Sequence, residues 1–215
     1  ADAHRVDRRE EASGVHFRAT VALEKLDRRG TSITYIGARD QWRVEERVAG
    51  QVEYTAVDGR SAWSASAREG QDVTRSPMED PRLSESLLDG PWVRAGDWTE
   101  HFESVETIQA LENSERRLIL VRCGAPGRAA RTYWVDAGTW RVVREDKVVH
   151  VPNAGRLGVR SVFDDYREVA GALLPHRVRV RTSNAMIGEI VITVDDVEVG
   201  VGTPEGFFEL ADLGG

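Results

Sequence analysis

A two-residue period recurs along most of this chain and constrains its fold more than any other feature. In GVHFRATVALEKL (residues 14–26), Val15, Phe17, Ala19, Val21 and Leu23 fall on one side, with His16, Arg18 and Thr20 on the other. Side chains alternate across a β-strand, so this pattern describes a strand with one covered and one wet face. His16 is therefore expected on the polar face, as a solvated side chain. Asp27 to Gly30 reads as a turn, after which Ile33 and Tyr35 continue the alternation. QWRVEERV sets Trp42 and Val44 against Arg43 and Glu45. Val52, Tyr54 and Ala56 lead into Asp58-Gly59, a strong short-range hairpin signal. Val15, Phe17, Val21, Ile33, Tyr35, Trp42, Val44 and Tyr54 are expected to share one concave, covered face.

The period is lost between residues 66 and 103. Asp80-Pro81 is a helix start, an N-cap acceptor followed by proline at the first helical position. Leu83, Leu87 and Leu88 give the helix an apolar stripe, and Gly90-Pro91 ends it. Trp92, Trp98 and Phe102 follow among polar residues. Val105, Ile108 and Leu111 have helical spacing in a run too short to decide. Strands return in RRLILVRC, in ARTYWVDAGTWRVVRE with a turn at Asp136 to Thr139, and in VRSVFDDYREV, LLPHRVRVRT and GEIVITVDDVEVGV. About nine strands around one short helix describe a mainly β (α+β) fold, a strongly curved antiparallel sheet covered by a helical segment. At 215 residues the chain fits one domain, 1–215, with the helical and aromatic insertion at about 80–103.

Charge and cysteine content narrow the partners. The net charge is −7 and the basic residues are scattered without a stripe, which argues against nucleic acid and against docking on anionic lipid through charge alone. No apolar run approaches the roughly 20 residues of a transmembrane helix. Cys123 is the only cysteine, so no internal disulfide can form, and its place in RRLILVRC reads as a small core residue. The opening ADAH fits the end of a signal-peptidase cut or of a trimmed chain, and export is compatible with it.

Catalytic constellations are not apparent. His4, His16, His101, His150 and His176 stand in no HExxH or HxH frame, and no GxSxG elbow is present. GAPGRAAR lacks the GK[ST] ending of a phosphate loop, and Asp195-Asp196 reads as a solvated strand edge. FDDYREVAGALLPHRVRV places Asp164 and Asp165 on opposite faces of a strand, with His176 beginning the next after a turn at Ala170 to Ala172. Acid–base catalysis needs both groups aimed at one substrate, so this stretch is expected to be a hairpin, with no catalytic residue, metal or cofactor.

That hairpin, D-Y-R-E-V-x-G-x-x-L-P-H from Asp165 to His176, resembles the penultimate hairpin of LolA-like proteins, the periplasmic lipoprotein-sorting carriers and their relatives. Gln41 to Glu45 resembles the family strand leading to a D-G-x-x-x-W hairpin, present here as Asp58, Gly59 and Trp63. Tyr133 to Asp136 resembles its Y-x-V-D turn, and Ile192 to Val201 followed by Phe207-Phe208 its closing strand and terminal segment. The likeness runs over about residues 15 to 210. Arg39 precedes Asp40 where carriers often have proline, Asp212 and Leu213 stand where a terminal proline is usual, and RVDRREEASG has only Val6 as a large apolar residue.

The resemblance implies a half-open β-barrel closed by a helical lid, binding acyl chains without catalysis. With no lipid-modified cysteine at the start, it points to a soluble periplasmic carrier of lipid or lipoprotein acyl chains. The cavity and lid would be lined by Phe17, Val21, Ile33, Tyr35, Trp42, Val44, Tyr54, Trp63, Leu87, Leu88, Trp92 and Trp98. The alternative is a self-filled version of the same fold, acting as an accessory subunit that binds an envelope protein partner through its tryptophans and arginines.

Overall fold

The computed structural model describes residues 14–37, 41–59, 61–80, 82–88, 98–112, 116–124, 129–151 and 155–210. The first half forms β1 (Gly14–Leu23), β2 (Arg28–Ile36), β3 (Gln41–Val48), β4 (Gln51–Asp58), β5 (Ser61–Arg68) and the short β6 (Arg75–Pro77). Among the described residues two helices follow, α1 (Arg82–Leu88) and α2 (Trp98–His101). The second half adds β7 (Ser104–Glu112), β8 (Arg117–Gly124), β9 (Arg131–Asp136), β10 (Val142–Val151), β11 (Gly155–Val169), β12 (Ala172–Thr182) and β13 (Glu189–Val201). All thirteen strands join one antiparallel sheet in the order β6-β5-β4-β3-β2-β1-β13-β12-β11-β10-β9-β8-β7. No described helix is long and apolar enough to cross a membrane.

This order explains the lid. The chain begins mid-sheet at β1, walks outward by hairpins to the edge strand β6, resumes at the opposite edge with β7, and walks back until β13 pairs with β1. The connection between β6 and β7 must therefore pass from one edge to the other, and α1 and α2 lie within it. Arg82 of α1 donates to Ser64 Oγ of β5 at 3.5 Å, while Glu85 accepts from His150 of β10. Those strands are eight positions apart. In a flat sheet that would be roughly 40 Å, against about 10 Å for a seven-residue helix. The sheet must curl around the helix, and the helix side is its concave face. The result is a half-open barrel with a helical lid.

Local turn chemistry agrees with the sequence. Ala49-Gly50 and Ala170-Gly171 close the β3–β4 and β11–β12 hairpins with positive φ at both central residues (53° and 76°, 49° and 81°), as mirror-image two-residue turns require. The Asp136 carboxylate accepts from the backbone N–H of Gly138 and Thr139 at 2.9 and 2.8 Å, fixing the expected turn. The strand count exceeds the expected nine. The undecided run Val105 to Leu111 is strand β7, whose bulge between Thr107 and Gln109 turns alternation into a spacing of three. Pro81, Gly90 and Pro91 lie outside the described residues, but α1 carries the expected leucine stripe.

The main correction concerns faces. His16 pairs with Tyr35, Arg18 with Ile33, and Glu45 with Tyr54, whereas Phe17 pairs with Thr34. Ile33, Tyr35, Tyr54 and Trp63 thus occupy the convex face, opposite Val15, Phe17, Val21, Trp42 and Val44. They remain partly or wholly covered because residues 203–210 fold back over this side. Phe207 packs edge-on against Tyr35 at 4.9 Å, Trp63 Nε1 donates to the Phe208 carbonyl at 2.8 Å, and Arg43 lies 4.4 Å from the Phe207 ring centroid and 5.2 Å from that of Tyr54. With both faces of this half covered, apolar alternation cannot tell one from the other. His16 is likewise buried (9% exposed), not solvated, stacked on Tyr35 at 4.6 Å. Asp195 is exposed, yet it sits at a bulge of the interior strand β13 and not on a sheet edge.

The Trp63 anchor yields a stability test. Trp63 is 2% exposed, so Trp63→Phe, which leaves the Phe208 carbonyl without its donor, is expected to cost roughly 1–3 kcal/mol. Trp63→Ala should cost roughly 3–5 kcal/mol. Urea unfolding followed by circular dichroism measures both.

Candidate functional site

The concave face is lined by alternate residues of most strands. Phe17, Ala19 and Val21 come from β1, Trp42 and Val44 from β3, and Ile192 and Val194 from β13. Phe163 and Val178 continue this face across β11 and β12, and Tyr133 and Val121 across β9 and β8. Its two ends are closed differently. At one end Trp98 of α2 and Phe102, just after it, pack against Tyr133, with Leu88, Val121, Cys123 and Val135 completing a buried cluster. The Trp98 and Tyr133 rings stack at 4.8 Å. Cys123 is fully buried, a core residue as expected, and burial pushes its thiol up to about 11.

At the other end Trp42, Val57, Ala62 and Met78 form a cluster against which Leu83 and Leu87 of α1 are only half-buried. Between the ends, Val44, Phe163, Val178 and Ile192 are half-buried too. The curved sheet makes a trough of the concave face, and apolar side chains in its middle stay partly exposed beside the lid.

A buried ionic network fastens one end of the lid. Arg131, on the strand position shared with Tyr133 and Val135, is 5% exposed. Its Nη1 donates to the Leu88 carbonyl at 3.1 Å and to Glu145 Oε1 at 3.2 Å, and Nη2 donates to the Glu85 carbonyl at 3.3 Å. A cation is favoured there because the last carbonyls of a helix lack internal partners and carry partial negative charge. Lys147 Nζ stands 3.6 Å from the other Glu145 oxygen. The Glu85 side chain takes the His150 backbone N–H at 2.8 Å and its Nδ1 at 2.5 Å.

Glu46 is the other polar group of interest on this face. It shares the phase of Trp42 and Val44 and pairs with Ser32 on one side and Glu53 on the other. Burial, then repulsion from Glu53, raises its carboxyl above the ordinary range.

Of the residues expected to line the cavity and lid, Phe17, Val21, Trp42, Val44, Leu87, Leu88 and Trp98 lie on or over the concave face. Ile33, Tyr35, Tyr54 and Trp63 are on the other face, and Trp92 is outside the described residues. Arg131, Glu145, Glu85 and Glu46 were not singled out. The signal for Arg131 is its alternation with Tyr133 and Val135 in RTYWVD, and for Glu46 its phase with Trp42 and Val44.

The carboxylates weighed for catalysis are held apart. Asp164 pairs with Arg179 at 2.9 Å and Asp165 with Arg167 at 2.6 Å. His176 is buried with Nδ1 3.1 Å from the Leu174 carbonyl. Asp165 has φ 52°, so strict alternation is interrupted there. Among the described residues no three His, Cys, Asp or Glu side chains gather as a metal site.

By sequence, no family model and no curated protein matches the chain. Its structure is similar to the crystal structure of a LolA superfamily protein from Nitrosomonas europaea, with a TM-score of 0.63 at 12% identity over 93% of this chain and 91% of that one. It is also similar to a domain described as an outer membrane lipoprotein-sorting protein from Vibrio parahaemolyticus, with a TM-score of 0.58 at 8% identity over 93% and 91%. The chain has a LolA-like fold. At these identities the likeness is one of architecture. In this LolA-like frame the lid crosses the concave face, and the half-buried trough lies beneath it.

Two outcomes follow from the network and from Glu46. Arg131→Ala leaves Glu145 buried beside Lys147 alone and frees two helix carbonyls, and should cost about 3 kcal/mol in chemical unfolding. A carboxyl whose folded pKa is raised contributes stability at pH below its unfolded value, and that contribution is lost as pH rises through the folded value. Glu46→Gln should therefore raise the unfolding midpoint at neutral pH and leave it nearly unchanged in acid, as read from thermal melts across pH.

Proposed function

We propose that this protein is a non-catalytic carrier of the cell envelope, acting in the periplasm, that holds an acyl chain of a lipid or lipoprotein in the concave trough beneath α1. The observation that carries this reading is the incomplete burial of apolar side chains on both sides of the trough: Leu83 and Leu87 above, Val44, Phe163, Val178 and Ile192 below. Apolar surface left half-covered in a groove gains about 25 cal/mol per Å² when a ligand removes it from water. An unbranched acyl chain suits partly exposed valine, leucine and isoleucine side chains such as Val44, Leu87, Val178 and Ile192. The fold shared with a LolA superfamily protein and a lipoprotein-sorting domain supports the same class of ligand.

A second reading, an accessory subunit that binds an envelope protein, is favoured by a different observation. The α2 end is filled by its own Trp98 and Phe102, and Arg131 fastens the end of α1. In that case the lid is a fixed part of the core.

Titration with a fluorescent fatty acid separates the two. A carrier should bind it with micromolar or tighter affinity, about −8 kcal/mol. Leu87→Ala should weaken that binding by ~1–3 kcal/mol through lost apolar contact. Trp98→Ala should instead destabilise the fold by ~3–5 kcal/mol. If the folded protein binds neither fatty acid nor lipopeptide, the accessory reading stands, and native mass spectrometry of protein from its own source should show a protein partner.

A further inference from the structure

The convex face of β10 to β13 carries a second surface with a different chemistry. In LLPHRVRVRT the alternation sends Val178 and Val180 to the concave side and Arg177, Arg179 and Arg181 to the convex side. Arg160 of β11 stands directly across from Arg181, and Val162 is flanked by Arg144 on β10 and Arg179 on β12. Arg144, Arg160, Val162, Arg179, Arg181 and Glu189 enclose a cleft of about 230 Å³. Like charges placed opposite one another across a sheet are destabilising, so four guanidinium groups around one cleft call for an explanation.

Three carboxylates hold them. Asp146 accepts from Arg144 and from Arg160 Nε at 2.8 Å, Asp164 accepts from Arg179 at 2.9 Å, and Glu189 accepts from Arg181 Nε at 2.6 Å. Burial opposes ionisation of Asp146, but the hydrogen bonds from Arg144 and Arg160 outweigh it and hold its carboxyl below the ordinary range. Four positive groups answer to three negative ones, and each guanidinium has five N–H donors, so most of the donor capacity remains. The Nε atoms of Arg144 and Arg179 are buried without a hydrogen-bond partner. The carboxylates orient the guanidinium groups and leave a net positive charge of one with unused N–H donors.

We propose that this cleft binds a phosphate group. Arginine forks match the geometry of phosphate oxygens, and bidentate charge-assisted bonds are the strong ones. The volume falls below the roughly 300–1,000 Å³ of pockets for larger organic ligands, so a small anionic group enters and an acyl chain does not. The chain's net charge of −7 conceals this local excess, which arises because β10, β11 and β12 bring four arginines to one place on the convex face. The site is independent of what the concave trough holds.

Titration of the folded protein with inorganic phosphate, followed by amide chemical shifts, is the direct test. Shifts are expected on β10 to β13, fading as salt rises. Arg160→Gln and Arg181→Gln should each weaken binding about tenfold. Arg160→Lys should lose most of the same affinity, because it keeps the charge and loses the fork. Arg177→Gln, on the same face but outside the cleft, should bind as the parent does. Co-sedimentation with phosphatidylcholine vesicles with and without phosphatidic acid tells the source of the phosphate. Binding to the acidic vesicles that depends on Arg160 and Arg181, without a response to free phosphate, supports the cleft with a lipid headgroup as its ligand. No response to either probe overturns the proposal, as does an Arg177→Gln loss equal to the others. Should Arg160→Gln fail to fold, Arg181→Gln still decides, since its side chain is 69% exposed.

Discussion

A single buried guanidinium determines how the lid meets the sheet. Arg131 gives its donors to two carbonyls at the end of α1 and to Glu145, so one side chain joins the crossover helix to β9 and β10. Desolvating such a group costs several kcal/mol, and only a near-complete set of partners offsets it. That requirement places the C-terminal end of α1. Toward its start the helix packs on the other half of the sheet, where Arg82 reaches Ser64 Oγ at 3.5 Å, Ser86 Oγ meets Met78 Sδ at 3.3 Å, and Leu83 and Leu87 lie against the Trp42 and Val57 cluster.

The curl that creates the trough depends on bulges and on a covered outer face. Bulges interrupt β1 against β13 at Asp195, β10 against β9 near Val142, and β7 near Ile108. Each adds local twist and lets a wide sheet bend. On the convex side of β2 to β5, the segment 203–210 lays Phe207 and Phe208 over Tyr35 and Trp63, with Arg43 held among the rings. Both surfaces of this half are therefore core, and the sheet needs residues from the far end of the chain to complete it.

The two kinds of burial decide what could be read from sequence. Strands, the hairpins at Asp58-Gly59 and Ala170-Gly171, the helix with Leu83, Leu87 and Leu88, and the LolA-like order of motifs were all legible, because each follows from local chemistry or a fixed period. The facing of Tyr35, Tyr54 and Trp63 was not. Alternation reports a face only when the other is wet, and here Phe207 and Phe208 come from a segment more than a hundred residues away. The solvated place expected for His16 fails for the same reason, since polarity alone does not foresee a ring stacked on Tyr35. Ile108 sits at a bulge on an exposed edge strand, where neither burial nor pairing enforces a period. Arg131 and Glu46 were readable, as charged residues in phase with an apolar face. The rule that such residues mark the special points of a core applies to both.

Strand β12 shows how one backbone serves two chemistries. Val178 and Val180 line the apolar trough while Arg179 and Arg181 border the convex cleft, so neighbouring residues face opposite solvents. A ligand with an acyl chain in the trough cannot place its headgroup in the cleft, because the sheet lies between them. The headgroup of such a ligand would sit at the trough's own mouth. A phosphate in the proposed cleft would therefore belong to something other than the head of a molecule held in the trough, and occupancy of one face places no steric demand on the other. What the faces do share is β11 and β12, whose hairpin carries Phe163 inward and Arg160 outward. Any coupling between the two surfaces must pass through the position of those strands, and not through contact between their ligands.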